Sequence, residues 1–503
     1  MDGEDRSGVV IGETESICPE CLEVIAAKKV VKEDGIYLEK TCKEHGTYST
    51  LIWEGTQESY KEWGSDIKPS DQIPSARVTE KGCPYDCGLC KAHERRGCCV
   101  LLEVTSRCNL HCPVCFAAAG EAESKEVPLE ELAEQMDDLM AHGGPFNLQL
   151  SGGEPTMRDD LPEVIRIGKE KGFSFFQLNT NGLRLAREKG YAKKLKDAGL
   201  SCVFLQFDGI TDSVYQVLRG QALWEQKKAA IDACEDAKLG VILVPVITPG
   251  VNEDQVGAIL NYARSRMPVV RGVHFQPISY FGRCLEAQGS YRITIPKMLK
   301  LMEEQTEDWI EHTHFTGGNA TNPYCTFQAN YLRQADGTMK PMIHGTARAY
   351  ATSEQAREFV ARQWVGPDDG GACCCGAEAE TSKVNDCCQP ETQAQTCCCS
   401  IEQEVAKDNE ECCCCAEQEA SNGSCCCGED TAQMQLDTSS LDKFLTNLHN
   451  NTFAISGMLF QDACNLDLER LRRCYILETD SRYHMVPFCA YNLTSLKGRT
   501  LYR

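Results

Sequence analysis

Between residues 100 and about 280, short apolar runs return roughly every 30 residues: 100–105, 146–151, 173–179, 202–208, 241–247 and 272–278. Amphipathic helical patterns lie between them. One runs through Leu129, Leu132, Met136 and Leu139 behind Pro128, and another through Ala229, Ala230, Ala233 and Cys234. Strands that alternate with helices in this way run parallel, because each return to the sheet crosses one face by a right-handed connection. Six such units are too few to close an eight-stranded barrel, so the pattern predicts an α/β fold centred on a partial (βα)6 barrel. Sites in folds of this kind lie at the carboxyl ends of the strands.

Those ends carry chemistry. The first strand runs into Cys108-Asn-Leu-His-Cys112-Pro-Val114-Cys115, a C-x3-C-x2-C spacing. Three thiolates can hold three irons of a [4Fe–4S] cluster, leaving the fourth open to a small chelating molecule that can accept an electron. The second strand ends in Ser151-Gly152-Gly153-Glu154, the third in Asn179-Thr180-Asn181-Gly182, the fourth in Gln206-Phe207-Asp208, and the sixth in Phe275-Gln276-Pro277. Gly152 and Gly153 let backbone close on a ligand, and Glu154 offers a carboxylate to an ammonium group. Asn179, Asn181 and Gln206 offer amides to hydroxyls or a carboxylate. Val114 and Gln276 count among the residues expected to border the same ligand. Arg219 after a short helix reads as half of a surface salt bridge in preference to a contact with the ligand or a cluster, and Cys202 and Cys234 read as small buried hydrophobes.

The flanking segments add thiols. Residues 1–65 contain Cys18-Pro-Glu-Cys21 and Cys42-Lys-Glu-His45, two ligand pairs that hold one tetrahedral zinc or iron; the spacing does not choose between the metals. Residues 66–99 contain a second C-x3-C-x2-C run, Cys83, Cys87 and Cys90, with Cys98 or Cys99 as a fourth ligand. A cluster closed that way passes electrons but cannot chelate a small molecule. The barrel is assigned to 100–285 and a C-terminal extension to 286–365, with a helix from Pro296 to about Glu311. In 366–436, fifteen cysteines fall in short runs among acidic and small polar residues, a composition that cannot build a core and reads as a disordered insertion. Order is expected to resume over 437–503.

At 503 residues the chain exceeds one ordinary core. The net charge of −23 argues against a nucleic-acid surface, although 16 acidic and 2 basic residues between Asp368 and Asp437 supply much of it. The acidic N-terminus lacks a signal-like apolar stretch and no window suits a membrane span, so a cytoplasmic location is expected. Thirty-three cysteines in metal-type spacings, with no export signal, point to metal rather than disulfides.

Taken together, Cys108/Cys112/Cys115, Gly152-Gly153-Glu154, Asn179-Thr-Asn-Gly and Gln206-x-Asp-Gly resemble the radical S-adenosylmethionine (SAM) superfamily. The resemblance implies reductive cleavage of SAM at a [4Fe–4S] cluster to methionine and a 5′-deoxyadenosyl radical that abstracts a substrate hydrogen. It also implies a reductant such as flavodoxin or ferredoxin. The Cys18/Cys21/Cys42/His45 knuckle, the Cys83–Cys90 run and the Cys474…Pro487-Phe-Cys489 ending look like the group holding tetraether lipid synthase and the methanopterin-methylating enzymes, and most like the TrsS (seleno)protein family. That likeness implies C–C bond formation, methylation or a thiol- or selenol-linked modification on a small-molecule, lipid or peptide substrate. It further implies an auxiliary cluster drawing on Cys325, Cys474 and Cys489. The alternative reading is an iron–sulfur electron carrier or a thiol-rich metal-binding scaffold.

Overall fold

The computed structural model describes residues 8–64, 79–88, 90–120, 126–284, 292–307, 309–318, 322–342, 353–366 and 439–503. Residues 1–369 and 444–503 gather into one compact unit and residues 370–443 into another, of which only the opening of the helix Ser439–Asn451 is described. The cysteine-rich stretch expected at 366–436 lies, beyond Gly366, outside the described residues, as does the start of the 66–99 segment.

The chain opens with an antiparallel four-stranded sheet of β1 (Val9–Ile17), β2 (Val24–Lys32), β3 (Gly35–Cys42) and β4 (Gly46–Glu54), paired in that order. Next come the barrel strands β5 (Cys99–Thr105), β6 (Asn147–Gly152), β7 (Phe176–Thr180), β8 (Cys202–Gln206), β9 (Gly240–Val244), β10 (Val246–Ile247) and β11 (Val270–Pro277). The run expected at 241–247 is broken at Pro245, which has no N–H to give a ladder. Its carbonyl is still used, accepting from Gln276 N.

The C-terminal part adds β12 (Thr326–Arg333), β13 (Met339–Pro341), β14 (Thr452–Met458), β15 (Ile476–Thr479) and β16 (Met485–Pro487). β14 pairs parallel with β11, and β15 pairs parallel with β5. The six parallel strands read from the sequence thus become eight side by side, β14-β11-β9-β8-β7-β6-β5-β15. The barrel still does not close, because β14 turns to antiparallel β12 and β15 to antiparallel β16.

Period-two alternation sorts the side chains of these strands. Val100, Leu102, Leu148, Leu150, Leu178, Val203, Leu205, Val241 and Leu243 are fully buried against the helices, in one core with Leu132, Met136, Val164 and Ile231. The opposite face, inside the half-barrel, is mixed: Cys202, Phe204 and Ile242 form an apolar patch, while Gln149 and Gln177 are paired across β6 and β7, and Asn179 lies one pleat further up. Cys202 and Cys234 are fully buried among apolar neighbours. The helix expected from Pro296 to about Glu311 runs only over Ile295–Gln305. It stops where the Thr306 hydroxyl bonds Met302 O and Glu307 takes a left-handed φ of 48°.

Candidate SAM and metal sites

The loop after β5 carries Cys108, Cys112 and Cys115 and is fastened from four directions. From β6, Gly153 N and Glu154 N donate to Thr105 O (2.7 Å) and Arg107 O (2.8 Å). A Cβ on Gly152 would stand 2.2 Å from Thr105 O, and one on Gly153 2.2 Å from Arg107 O. The close approach these glycines permit is therefore to the cysteine loop itself. From the helix Asp212–Arg219, Arg219 grips buried Asp208 through two 2.7 Å bonds and donates its remaining nitrogen to Val114 O at 2.8 Å. The surface salt bridge expected of Arg219 is thus corrected. It is 4% exposed and Asp208 0%, and a charge so buried persists only when paired and fully bonded.

From the segment after β11, Arg283 donates to Cys112 O (2.7 Å) and Ala119 O (2.9 Å), and exchanges backbone bonds with Cys115. From β7, Asn181 Nδ2 donates to Asn109 Oδ1 at 2.7 Å. Val114 places its side chain against Val214 and Leu218, and its backbone is taken up by Leu218 and Arg219.

Glu154 is almost fully buried. Its Oε1 accepts from Thr156 N (3.1 Å), Thr156 Oγ1 (2.6 Å) and Thr180 Oγ1 (2.6 Å), while Oε2 accepts from Asn181 N (2.7 Å). One oxygen is saturated by the neighbouring turns and the other keeps a lone pair. Asn179 is tied into an inner ladder, with its Nδ2 on Gln149 Oε1 (3.3 Å) and its Oδ1 accepting from Gln177 Nε2 (2.7 Å). Gln206 Oε1 faces Lys227 Nζ at 3.4 Å, and Gln276 is half-buried at the end of β11.

Lys227 was not legible as a site residue. It sits on the helix Trp224–Asp236 with 0% exposure, and its Nζ also bonds Asn181 O at 2.7 Å. Burial pulls its ammonium down to about 8. The signal was a lysine in place of a core residue at helical spacing between Leu223 and Ile231. A second charged group missed by the sequence reading joins β5 to β15. Arg503 Nη2 donates to Glu103 Oε1 (2.6 Å) and Glu478 Oε1 (3.1 Å), while Asn492 Nδ2 donates to Glu478 Oε2 (2.9 Å). Burial and the adjoining Glu103 carboxylate push Glu478 well above the usual carboxylate range.

The donor chemistry at the loop fits an iron–sulfur cluster. Burial pushes the Cys108 thiol up to about 12, so a bound cation is what would hold it as thiolate. Leu110 N points at Cys108 Sγ from 3.4 Å, the direction of an amide stabilising a cluster sulfur. Among the described residues, only Cys18, Cys21, Cys42 and His45 bring their ligand atoms within 4.8 Å of one another. The loop thiols do not all close to that single-ion distance, which suits ligands serving separate irons.

The N-terminal quartet has single-ion geometry. His45 Nδ1 lies 3.6 Å from Cys18 Sγ and 3.4 Å from Cys42 Sγ, and Cys21 Sγ lies 4.0 Å from Cys42 Sγ. A tetrahedral ion with bonds of about 2.3 Å to sulfur has edges of about 3.8 Å. His45 Nε2 faces Glu20 at 3.8 Å, and Tyr48 and Lys497 hold that carboxylate in turn.

The remaining thiols separate into two sets. Cys83, Cys87 and Cys90 line one cavity that Cys98 does not border. Cys98, expected as their fourth ligand, instead lies beside Cys99 and near Cys474. It leads directly into β5, and pairing of Asn147 N with Cys98 O keeps it in the sheet. Cys325, Cys474 and Cys489 are electrostatic neighbours of one another, and Cys474 also neighbours Cys99.

A parallel α/β half-barrel that offers three thiols and a Gly-Gly-Glu turn at its strand ends is the layout of an enzyme that cleaves SAM reductively. Residues 102–263 match the radical SAM superfamily model, and residues 10–54 match the N-terminal zinc ribbon domain of the HMPTM type. The chain is 34% identical over 490 residues to 7,8-dihydro-6-hydroxymethylpterin dimethyltransferase of Methanocaldococcus jannaschii, covering 95% of this chain and 93% of that one. It is 39% identical over 148 residues to Fe-coproporphyrin III synthase of Methanosarcina barkeri, covering 29% and 35%. Streptococcus suis SuiB bound to precursor peptide SuiA aligns over 42% of this chain and 46% of that chain, with 16% identity and a TM-score of 0.36. The chain belongs to the radical SAM superfamily, and membership brings with it a [4Fe–4S] cluster, SAM and the need for a reductant. Among the described residues, no helix is long and apolar enough to cross a membrane.

Proposed function

We propose that this enzyme methylates a carbon of a reduced pterin or a closely similar polar heterocycle. The observation that carries the reading is the end-to-end similarity to the pterin dimethyltransferase, which spans the zinc ribbon, the barrel and the C-terminal strands alike. The lining of the half-barrel supports it. Gln149, Asn179 and Glu103, each held in place by a hydrogen bond to a neighbouring side chain, present amide and carboxylate groups that suit a flat polar ring better than a lipid chain.

When bound, the cluster and SAM would supply one electron and the 5′-deoxyadenosyl radical that takes the substrate hydrogen; the methyl group would come from a second SAM, with a second electron from the reductant completing the new bond. In this reading Cys108, Cys112 and Cys115 hold three irons. Glu154 Oε2, with its spare lone pair, accepts from the SAM ammonium, and Lys227 and Gln206 serve its carboxylate or ribose. Gly152, Gly153, Arg219 and Arg283 hold the loop still while Val114 and Leu218 keep water from it. Asn181 braces the loop through Asn109, and Gln276 borders the ligand. Cys83, Cys87 and Cys90 hold a second cluster, and Cys325, Cys474 and Cys489 hold a third. Cys99 is the remaining thiol beside that third set. Zinc occupies the N-terminal quartet, and a flavodoxin or ferredoxin donates the electron.

The test is anaerobic turnover of the reconstituted protein with dithionite, SAM and a 7,8-dihydropterin deuterated at its ring and side-chain carbons. The expected result is a methylated pterin with deuterium in 5′-deoxyadenosine. 5′-Deoxyadenosine without deuterium, at a rate the pterin does not change, would move the substrate elsewhere.

A further inference from the structure

The run Cys83-x3-Cys87-x2-Cys90 supplies three thiols, and Cys98 does not border the cavity they line. This small cavity is bordered also by His93, Leu471 and Arg472. His93 is 8% exposed, and its Nε2 has no hydrogen-bond partner. The other ring nitrogen is occupied, because the ring bonds the backbone of Cys474. A neutral imidazole that donates Nδ1–H to a backbone carbonyl must carry its lone pair on Nε2. Here that lone pair is buried, on a residue that borders the cavity together with three thiols and the Arg472 side chain. Leaving a buried acceptor of this kind unpaired is unfavourable, and a metal bond would remove that cost. The same pattern, with one nitrogen on a backbone carbonyl and the other toward metal, is how ligating histidines are oriented.

The loop around the thiols is built rather than adventitious. The Asp86 carboxylate accepts from Glu80 N (2.9 Å), Lys81 N and Gly82 N (2.8 Å). Tyr502 OH donates to Pro84 O (2.7 Å) and accepts from Cys87 N (2.9 Å). His93 N bonds Cys90 O at 2.9 Å, so the imidazole is carried on the turn that presents the third thiol.

We infer that Cys83, Cys87, Cys90 and His93 together ligate an iron–sulfur cluster, with His93 Nε2 on the fourth iron. Unlike the N-terminal quartet, these ligand atoms do not all fall within 4.8 Å of one another, which fits a multi-iron cluster better than a single ion. Replacing a thiolate by neutral imidazole removes one negative charge and raises the reduction potential, as it does in histidine-ligated two-iron centres. The same ring also reaches the backbone of Cys474, a member of the next thiol set, so His93 joins the two sets through one hydrogen bond.

The experiment uses the full chain, reconstituted anaerobically with iron and sulfide and reduced without SAM. It is done in a background where Cys108, Cys112 and Cys115 are alanine and the N-terminal site holds zinc. Pulsed EPR should show a strongly coupled imidazole nitrogen. His93→Cys should keep the iron content, lose that coupling and shift the midpoint potential to more negative values. His93→Ala should turn the oxidised centre into a [3Fe–4S] signal, while Cys98→Ala changes none of these readouts. Nitrogen coupling that survives in His93→Cys would overturn the assignment, as would a [3Fe–4S] signal in Cys98→Ala but not in His93→Ala. Because His93→Cys retains a ligand, loss of fold in His93→Ala does not remove the test.

Discussion

The chain carries the same spacing, C-x3-C-x2-C, twice within about 30 residues, and the two copies sit in different surroundings. The run at Cys108–Cys115 hangs from the carboxyl end of β5. It faces turns from β6 and β7 and the buried Lys227, so polar groups converge where a fourth ligand would otherwise stand. The run at Cys83–Cys90 precedes the barrel, and the cavity beside its thiols is bordered by His93, whose buried Nε2 has no hydrogen-bond partner. Three thiols in a given spacing therefore specify a cluster but not its use. The occupant of the fourth direction decides whether the centre is open to SAM or closed for electron transfer.

The contrast can be broken most severely by replacing Cys108, Cys112 and Cys115 with alanine, which should bring 5′-deoxyadenosine formation to background. The same change at Cys83, Cys87 and Cys90 should leave SAM cleavage by dithionite measurable. A smaller test strikes the clamp on the first loop. Asp208→Asn leaves Arg219 buried beside a neutral partner and should cost about 3–5 kcal/mol, read by chemical denaturation, with iron lost from the SAM loop first.

A perturbation of the shared wall should instead move both loops alike. His274 on β11 is half-buried beside Phe204 and Trp364 with Ser456 Oγ 2.9 Å away, and desolvation holds it down to about 4 from an ordinary 6.5. Between these values the unfolded chain binds the proton and the folded chain does not. Stability is therefore full above pH 6.5 and falls as pH drops toward 4, by at most about 3 kcal/mol. Denaturation midpoints across that range should show this slope, and His274→Gln should flatten it. The finest test is Gly153→Ala, whose Cβ meets Arg107 O. It should cost about 1–3 kcal/mol and slow SAM cleavage while leaving the Cys83 centre spectroscopically unchanged.

The local signals in the sequence were read well because they are local. Six apolar runs gave six parallel strands, and the two N-terminal ligand pairs sit in tight turns that bring Cys18, Cys21, Cys42 and His45 together. What escaped depends on distant partners. β14 and β15 extend the parallel sheet at both edges by pairing with strands about 180 and 375 residues earlier, and nothing in either segment announces its neighbour. Arg219 looked like a surface residue because its partner Asp208 and its target Val114 O are brought to it only by the fold. Cys98 is near the Cys83–Cys90 run in sequence, but its carbonyl pairs with Asn147 N at the start of β5 and it does not border the cavity those thiols line, which His93 does.

The division of labour between the two cysteine runs is tested most directly by pulsed EPR on the reduced protein with SAM labelled at its amino nitrogen with nitrogen-15. Coupling from that nitrogen to a cluster should persist when Cys83, Cys87 and Cys90 are replaced by alanine, and vanish when Cys108, Cys112 and Cys115 are replaced. Coupling that survives loss of the second trio, or disappears with the first, would contradict the account.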